Sequence, residues 1–257
     1  MDTGLTGKRA LVPGSSSGLG LAIARALAAE GADVVLAARR GDVVRSEAAA
    51  LPSAVGVEID MSGEDAPSAL VAAAEEAFGP IDVLVLNSGG PAPGGAADLA
   101  DDQIASAMHQ LLGQHQRLVS LVLPGMRERG WGRIIAVGSS GVQSPIPNLA
   151  LSNIGRAALA GYLKTLADEV APDGVTVNMV LPGRIATDRT LAIDTAAAKR
   201  SGQSVEDVQA ASKARIPVGR FGRPEEFAAA VTFLAGAPAS FITGEQLRCD
   251  GGMSRSY

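Results

Sequence analysis

The segment LALSNIGRAAL (149–159) places Ser152 four residues before Arg156, on one face of a predicted helix. Arginine stays charged at all useful pH, so it supplies a fixed positive field and shuttles no proton. A serine hydroxyl donates a hydrogen bond but is a far weaker acid than a phenol, whose pKa is about 10. The pair therefore suits electrostatic stabilisation of an oxyanion and leaves the source of any proton unassigned. Water is one source. His115 is a second candidate, because an unperturbed imidazole titrates near about 6.5. The competing reading makes His115 a surface or subunit-interface residue, and His109 is read the same way.

A second signal lies in ALVPGSSSGLGLAIARALAAEGADVVLAARR (10–40). An apolar strand runs into Gly14, Gly18 and Gly20, and an amphipathic helix and a second strand follow. Glycines permit a tight turn and close backbone approach, while a helix N-terminus offers free N–H groups and the positive end of a dipole. This is the physics of a pyrophosphate cradle. The spacing differs from the commonest dinucleotide fingerprint, since three residues separate the first two glycines.

The elements that must position these groups follow from the apolar pattern. Strands are expected at RALVP, DVVLAA, AVGVEI, IDVLVLN, RIIAVGS, VTVNMVL and EQLRCDGG, and helices over 19–30, 66–78, 103–129, 149–170 and 224–235. Continuous apolar strands alternating with helices predict an α/β fold: one doubly wound parallel sheet of about seven strands, helices on both faces. The 257 residues, 47% apolar and only 3% aromatic, are expected to form a single domain over 1–257. Residues 184–222 break the rhythm. They are polar, with a helix expected in SVEDVQAASKARI and a turn at PVGRFGRPEE, and are read as a substrate lid.

Bulk properties exclude other classes. A net charge of −5 without a basic block argues against nucleic acid as partner. The single Cys249 permits no intramolecular disulfide and no metal-ligand spacing, and it is read as a small buried residue in a reducing compartment. No membrane-length apolar run and no cleavable leader are seen, so a cytoplasmic protein with no membrane partner and a small-molecule substrate is expected.

Four motifs in order resemble the short-chain dehydrogenase/reductase family over nearly the whole chain, and the resemblance implies a Rossmann-type sheet. They are GSSSGLG (14–20), NSGG (87–90), NMVLPGRIAT (178–187) and ITGEQLRCDGG (242–252). One departure is Pro13, where the family usually has Thr; proline removes an N–H donor and stiffens the turn. The resemblance implies that Gly14, Ser16, Ser17, Gly18, Leu19 and Gly20 cradle a dinucleotide. It puts Asp60 and Met61 at the adenine, Asn87 and Gly89 near the adenosine ribose, and Pro182, Gly183, Ile185 and Thr187 at the nicotinamide half. At the end of the second strand NAD-preferring members carry Asp; this chain has Ala38, then Arg39 and Arg40. Arginine pairs with a 2′-phosphate that an Asp would repel, so NADP(H) is preferred over NAD(H).

The family's usual reductases use Ser, a Tyr four residues before a Lys, and an Asn. Ser139 matches the Ser. Ser152 stands at the Tyr position, Arg156 at the Lys position and Leu111 at the Asn position; the two tyrosines, Tyr162 and Tyr257, have the wrong spacing. Arg156 would keep the hold on the nicotinamide ribose, and Ser139 and Ser152 would bind the substrate oxygen. Halohydrin dehalogenases also have Arg here but lack the glycine-rich turn. An atypical branch with Ser-x-x-x-Arg, acyl-carrier-protein-reductase-like, is more similar, though that likeness fixes no substrate. The leading expectation is an NADP(H)-dependent oxidoreductase for a carbonyl/alcohol pair. The alternatives are a catalytically decayed nucleotide-binding sensor or scaffold, and a non-redox lyase or isomerase. By resemblance the chain forms a homo-oligomer, a dimer or tetramer, through helices 103–129 and 149–170 and the C-terminal strand.

Overall fold

Apolar runs bounded by turn residues form the sheet. In the computed structural model, which describes residues 2–255, the strands are Arg9–Pro13 (β1), Asp33–Ala38 (β2), Ala54–Glu58 (β3), Val83–Leu86 (β4), Gly132–Val137 (β5), Val175–Pro182 (β6) and Gln246–Cys249 (β7). They make one parallel sheet in the order β3-β2-β1-β4-β5-β6-β7. Alternate side chains feed two cores. Leu11, Leu84 and Ile134 pack with Ala66–Phe78 (α3), Gln114–Glu128 (α5) and Ala150–Val170 (α6). Val12, Val85 and Ile135 pack on the other face with Gly18–Ala29 (α1), Gly41–Ala49 (α2) and Pro224–Ala235 (α9). The strand order reverses between β1 and β4, and in such sheets the crevice beyond the strands' C-terminal ends is the ligand site.

Four points differ from the sequence reading. The single helix over 103–129 is instead Asp101–Met108 (α4), a π-helical turn His109–Gly113, and α5. Helix α2 was not anticipated, because its apolar stripe is short, only Gly41, Val44 and Ala48. The 184–222 segment carries two helices rather than one, Asp188–Ser201 (α7) and Val205–Lys213 (α8). The signal for α7 was present in Thr187, which caps it by accepting from the Thr190 N–H at 3.3 Å. The ends of this segment are tied together. The Ala186 N–H donates to the Gly222 carbonyl at 2.8 Å and the Gly222 N–H to the Arg184 carbonyl at 2.9 Å. Cys249 is half-buried at the end of β7 rather than fully buried, and Tyr257 lies outside the described residues. Among the described residues no helix is long and apolar enough to cross a membrane.

Candidate active site

Two glycines of the turn, Gly14 and Gly20, leave no room for a side chain. Gly14 has φ +65°, and a Cβ there would lie 2.7 Å from Asn87 Nδ2. A Cβ on Gly20 would collide with the Gly14 carbonyl. The Asn87 amide donates to the Pro13 carbonyl at 3.0 Å and to the Gly14 carbonyl at 3.2 Å, tying the end of β4 to the turn after β1. Pro13 is the last residue of β1, beyond the pairing with β4, which stops at Leu11. Ser15 continues the pairing by accepting from the Ala37 N–H at 2.9 Å. Ser17 precedes α1 in an extended conformation and makes no side-chain cap bond, so the first N–H groups of α1 stay available at the cleft. The turn thus fits a diphosphate: it is a tight turn that needs glycine at 14 and 20, with free donors and the positive end of a 12-residue helix.

The turn opens onto a cleft of about 350 Å³. Its lining brings Gly14, Ser17, Gly18, Leu19, Gly20, Asn87 and Gly89 together with Ser139, Ser152 and Arg156, and with Pro182, Gly183, Ile185 and Thr187. Ser139 follows β5, and its Oγ accepts from the Gly141 N–H at 3.0 Å. That bond spends a lone pair and leaves the O–H to donate. Ser152 and Arg156 lie on α6, one turn apart and both buried. Arg156 Nη1 donates to the Val137 carbonyl at 2.6 Å, which anchors the guanidinium beneath the end of β5. Burial first, and the charge of Arg189 second, pull Arg156 down to about 10, so it remains a cation at neutral pH.

His115 is neither a surface nor a ready proton donor. It is buried, and burial plus the charge of Arg156 lower it to about 4, so the ring is neutral at pH 7. Its Nδ1 is 3.0 Å from the Leu111 carbonyl, an acceptor that fixes the proton on Nδ1 and leaves Nε2 unpartnered. Leu111 itself is fully buried within the π-helical turn.

Five expected cofactor residues sit apart from this lining. Ser16 Oγ accepts from Arg40, at 3.0 Å from Nη2, so the arginine braces the glycine turn. Arg39 is exposed beside it, and its charge reaches Asp60 at the end of β3. Asp60 caps its own turn by accepting from the Ser62 N–H at 3.0 Å, a bond that holds its carboxyl below the usual range. Met61 packs on the core beneath α3. Arg39, Arg40, Asp60 and Met61 edge the β2–β3 side, beyond the cleft proper. The sequence reading missed the α7 contribution: Arg189, Thr190 and Ile193 also line the cleft.

A parallel sheet with its ligand crevice at the strand-order reversal, a glycine cradle and a Ser-bearing floor defines a dinucleotide-dependent class of protein. The comparisons place this chain within that class. A family model described as enoyl-(acyl carrier protein) reductase matches residues 14–254. The 3-oxoacyl-(acyl-carrier-protein) reductase FabG of Vibrio cholerae is 36% identical over 252 residues, 97% of this chain and 98% of that protein. L-sorbose reductase from Gluconobacter frateurii, solved with NADPH and L-sorbose, superposes with a TM-score of 0.94 at 33% identity over 100% of both chains. An actinorhodin polyketide ketoreductase solved with NADPH gives 0.91 at 34% identity over 100% of this chain and 99% of that one. The chain belongs to the short-chain dehydrogenase/reductase family.

Proposed function

We propose that the protein is an NADP(H)-dependent oxidoreductase that interconverts a carbonyl and an alcohol without the family's usual phenol. The observation that carries this reading is the single cleft joining the glycine cradle to Ser139, Ser152 and Arg156. Bound NADPH would supply a hydride to the substrate carbonyl carbon. Gly14 to Gly20 and the α1 N-terminus would hold its diphosphate, Asn87 and Gly89 would border the adenosine ribose, and Arg39 and Arg40 would meet the 2′-phosphate. Asp60 and Met61 would edge the adenine. Pro182, Gly183, Ile185 and Thr187 would contact the nicotinamide half, and Arg156 its ribose.

Ser139 and Ser152 would donate to the carbonyl oxygen, and the Arg156 charge would stabilise the negative charge that grows there. Neither serine surrenders its proton readily, and His115 is buried and neutral. The proton therefore comes from water in the open cleft. The 184–222 segment, tied at both ends and contributing Arg189 and Ile193, would act as the lid.

The test is NADPH oxidation across a panel of ketones, β-ketoacyl thioesters and imines. Turnover that drops at least about tenfold in Ser139→Ala and Ser152→Ala is expected; no turnover across the panel sinks the proposal. One observation favours the sensor reading instead: among the described cleft-lining residues, none is a Tyr, Lys or His. Tight NADPH binding without turnover would select it.

A further inference from the structure

Buried cations are normally paired, since an uncompensated charge out of water is expensive. Arg156 breaks that rule. It is 7% exposed, and its one hydrogen bond among the described residues goes to a neutral carbonyl, that of Val137. A neighbour makes the imbalance larger. Arg189, in the first turn of α7, lines the same cleft and reaches across to the loop after β4, where its Nη2 would be 2.5 Å from a Cβ on Gly90. Its charge is felt at Arg156 as repulsion.

The surroundings do not neutralise the pair. Arg184 lines the cleft too, but it is closed by the buried Asp194. Asp188 is the acidic residue of the lining; it is exposed and forms no ion pair among the described residues. His115 is neutral and adds no negative charge. In the family pattern the cation has a phenol for a neighbour, which can ionise, and here that neighbour is Ser152, which does not.

We propose that Arg156 and Arg189 form a two-guanidinium site for an oxyanion of the carboxylate or phosphate class, entering from the open cleft. Two sources carry that chemistry: an anionic group on the substrate, or the diphosphate of the dinucleotide. The substrate form rests on the reductase reading above; the binding site itself does not. Guanidinium forks suit either group, because both present two coplanar or near-coplanar oxygens to parallel N–H donors.

The probe is inorganic phosphate, titrated calorimetrically into the free protein and into protein saturated with 2′-phospho-ADP-ribose, which carries the diphosphate but no nicotinamide. Arg189→Gln is expected to weaken an anion-binding step by about tenfold to a hundredfold, and Arg189→Lys, which keeps the charge, by less. Phosphate that still binds the saturated protein, is lost in Arg189→Gln, and leaves 2′-phospho-ADP-ribose affinity unchanged identifies the substrate as the source. Phosphate displaced by 2′-phospho-ADP-ribose, with both weakened in Arg189→Gln, identifies the diphosphate. Affinities for both probes that are unchanged in Arg189→Gln overturn the proposal. Thermal unfolding of each variant separates lost binding from lost folding. A protein that turns over no substrate sinks the reductase reading yet leaves these titrations readable.

Discussion

The two ends of the sheet treat arginine in opposite ways. At the N-terminal end, Asp82, just before β4, is buried between Arg9 and Arg129. Arg9 approaches it at 2.7 Å and Arg129 at 3.3 Å, and Arg129 also donates to the Ile81 carbonyl at 2.7 Å. Nearby, the Arg133 guanidinium sits 4.5 Å from the ring centroid of Trp131, with Lys8 at 4.1 Å from the same ring. At the C-terminal end, Arg156 has only a carbonyl, and neither Arg156 nor Arg189 meets a carboxylate among the described residues. Arg9 and Arg129 at the lower end share a carboxylate from within the chain, while buried Arg133 has only the Gly132 and Gly174 carbonyls and the Trp131 ring. At the upper end Arg184 is paired with Asp194, and Arg156 and Arg189 keep uncompensated charge for a ligand.

The sharpest way to break this contrast is at its lower end. Asp82→Ala leaves two part-buried guanidinium groups without their carboxylate and is expected to cost about 3–4 kcal/mol, read as a lowered urea midpoint at unchanged m value. NADPH affinity of the surviving folded protein should stay the same. If affinity falls with stability, the two ends are not independent.

His115 gives a pH handle on the upper end. Its pKa drops from 6.5 to about 4 on folding, so the unfolded chain binds the extra proton between those values. Stability is whole above pH 6.5, declines as the pH falls from 6.5 to 4, and levels off once the folded ring protonates. The full decline is about 3 kcal/mol at 1.36 kcal/mol per pH unit. Urea melts between pH 4 and 7.5 should show it, and His115→Asn should remove it; a variant with the same slope would refute the assignment.

Arg156→Met should behave opposite to Asp82→Ala. Replacing an unpaired buried cation by an apolar side chain is expected to leave stability within about 1 kcal/mol or raise it, while turnover falls about a hundredfold, near 2.7 kcal/mol. A large loss of stability would mean that the Val137 bond is structural first. Smallest is Arg40→Ala at the upper rim. It should weaken NADPH about tenfold, near 1.4 kcal/mol, with NADH unchanged; equal weakening of both would trace the effect to the brace on Ser16.

Much of this was legible in the residues. The glycine turn, the strand alternation and the helices over 66–78 and 224–235 are local signals, set by period, breakers and caps, and each forms where the pattern put it. Ser139, Ser152 and Arg156 were found by spacing within ordered motifs, and the fold brings all three into one cleft. Where reading failed, the information was not local. The π-helical turn at His109–Gly113 is marked only by Gly113, which a helix interior also tolerates, and α7 was masked by its polar surface despite the cap at Thr187. Spacing alone left His115 open between proton donor and surface residue. Its neutrality depends on burial and on a charge from a helix more than thirty residues away.

The sequence by itself determined the fold class, the glycine turn and the loss of a phenol from the expected place, because period, glycine sterics and functional-group acidity are properties of residues. Only the tertiary structure decided which charges are paired. Asp82 pairs with Arg9 across 73 residues, Arg184 with Asp194 across ten, and Arg156 with no acid at all; packing between elements makes the difference. Electrostatic energy depends on distance and on exclusion of water, and neither quantity is written in residue order.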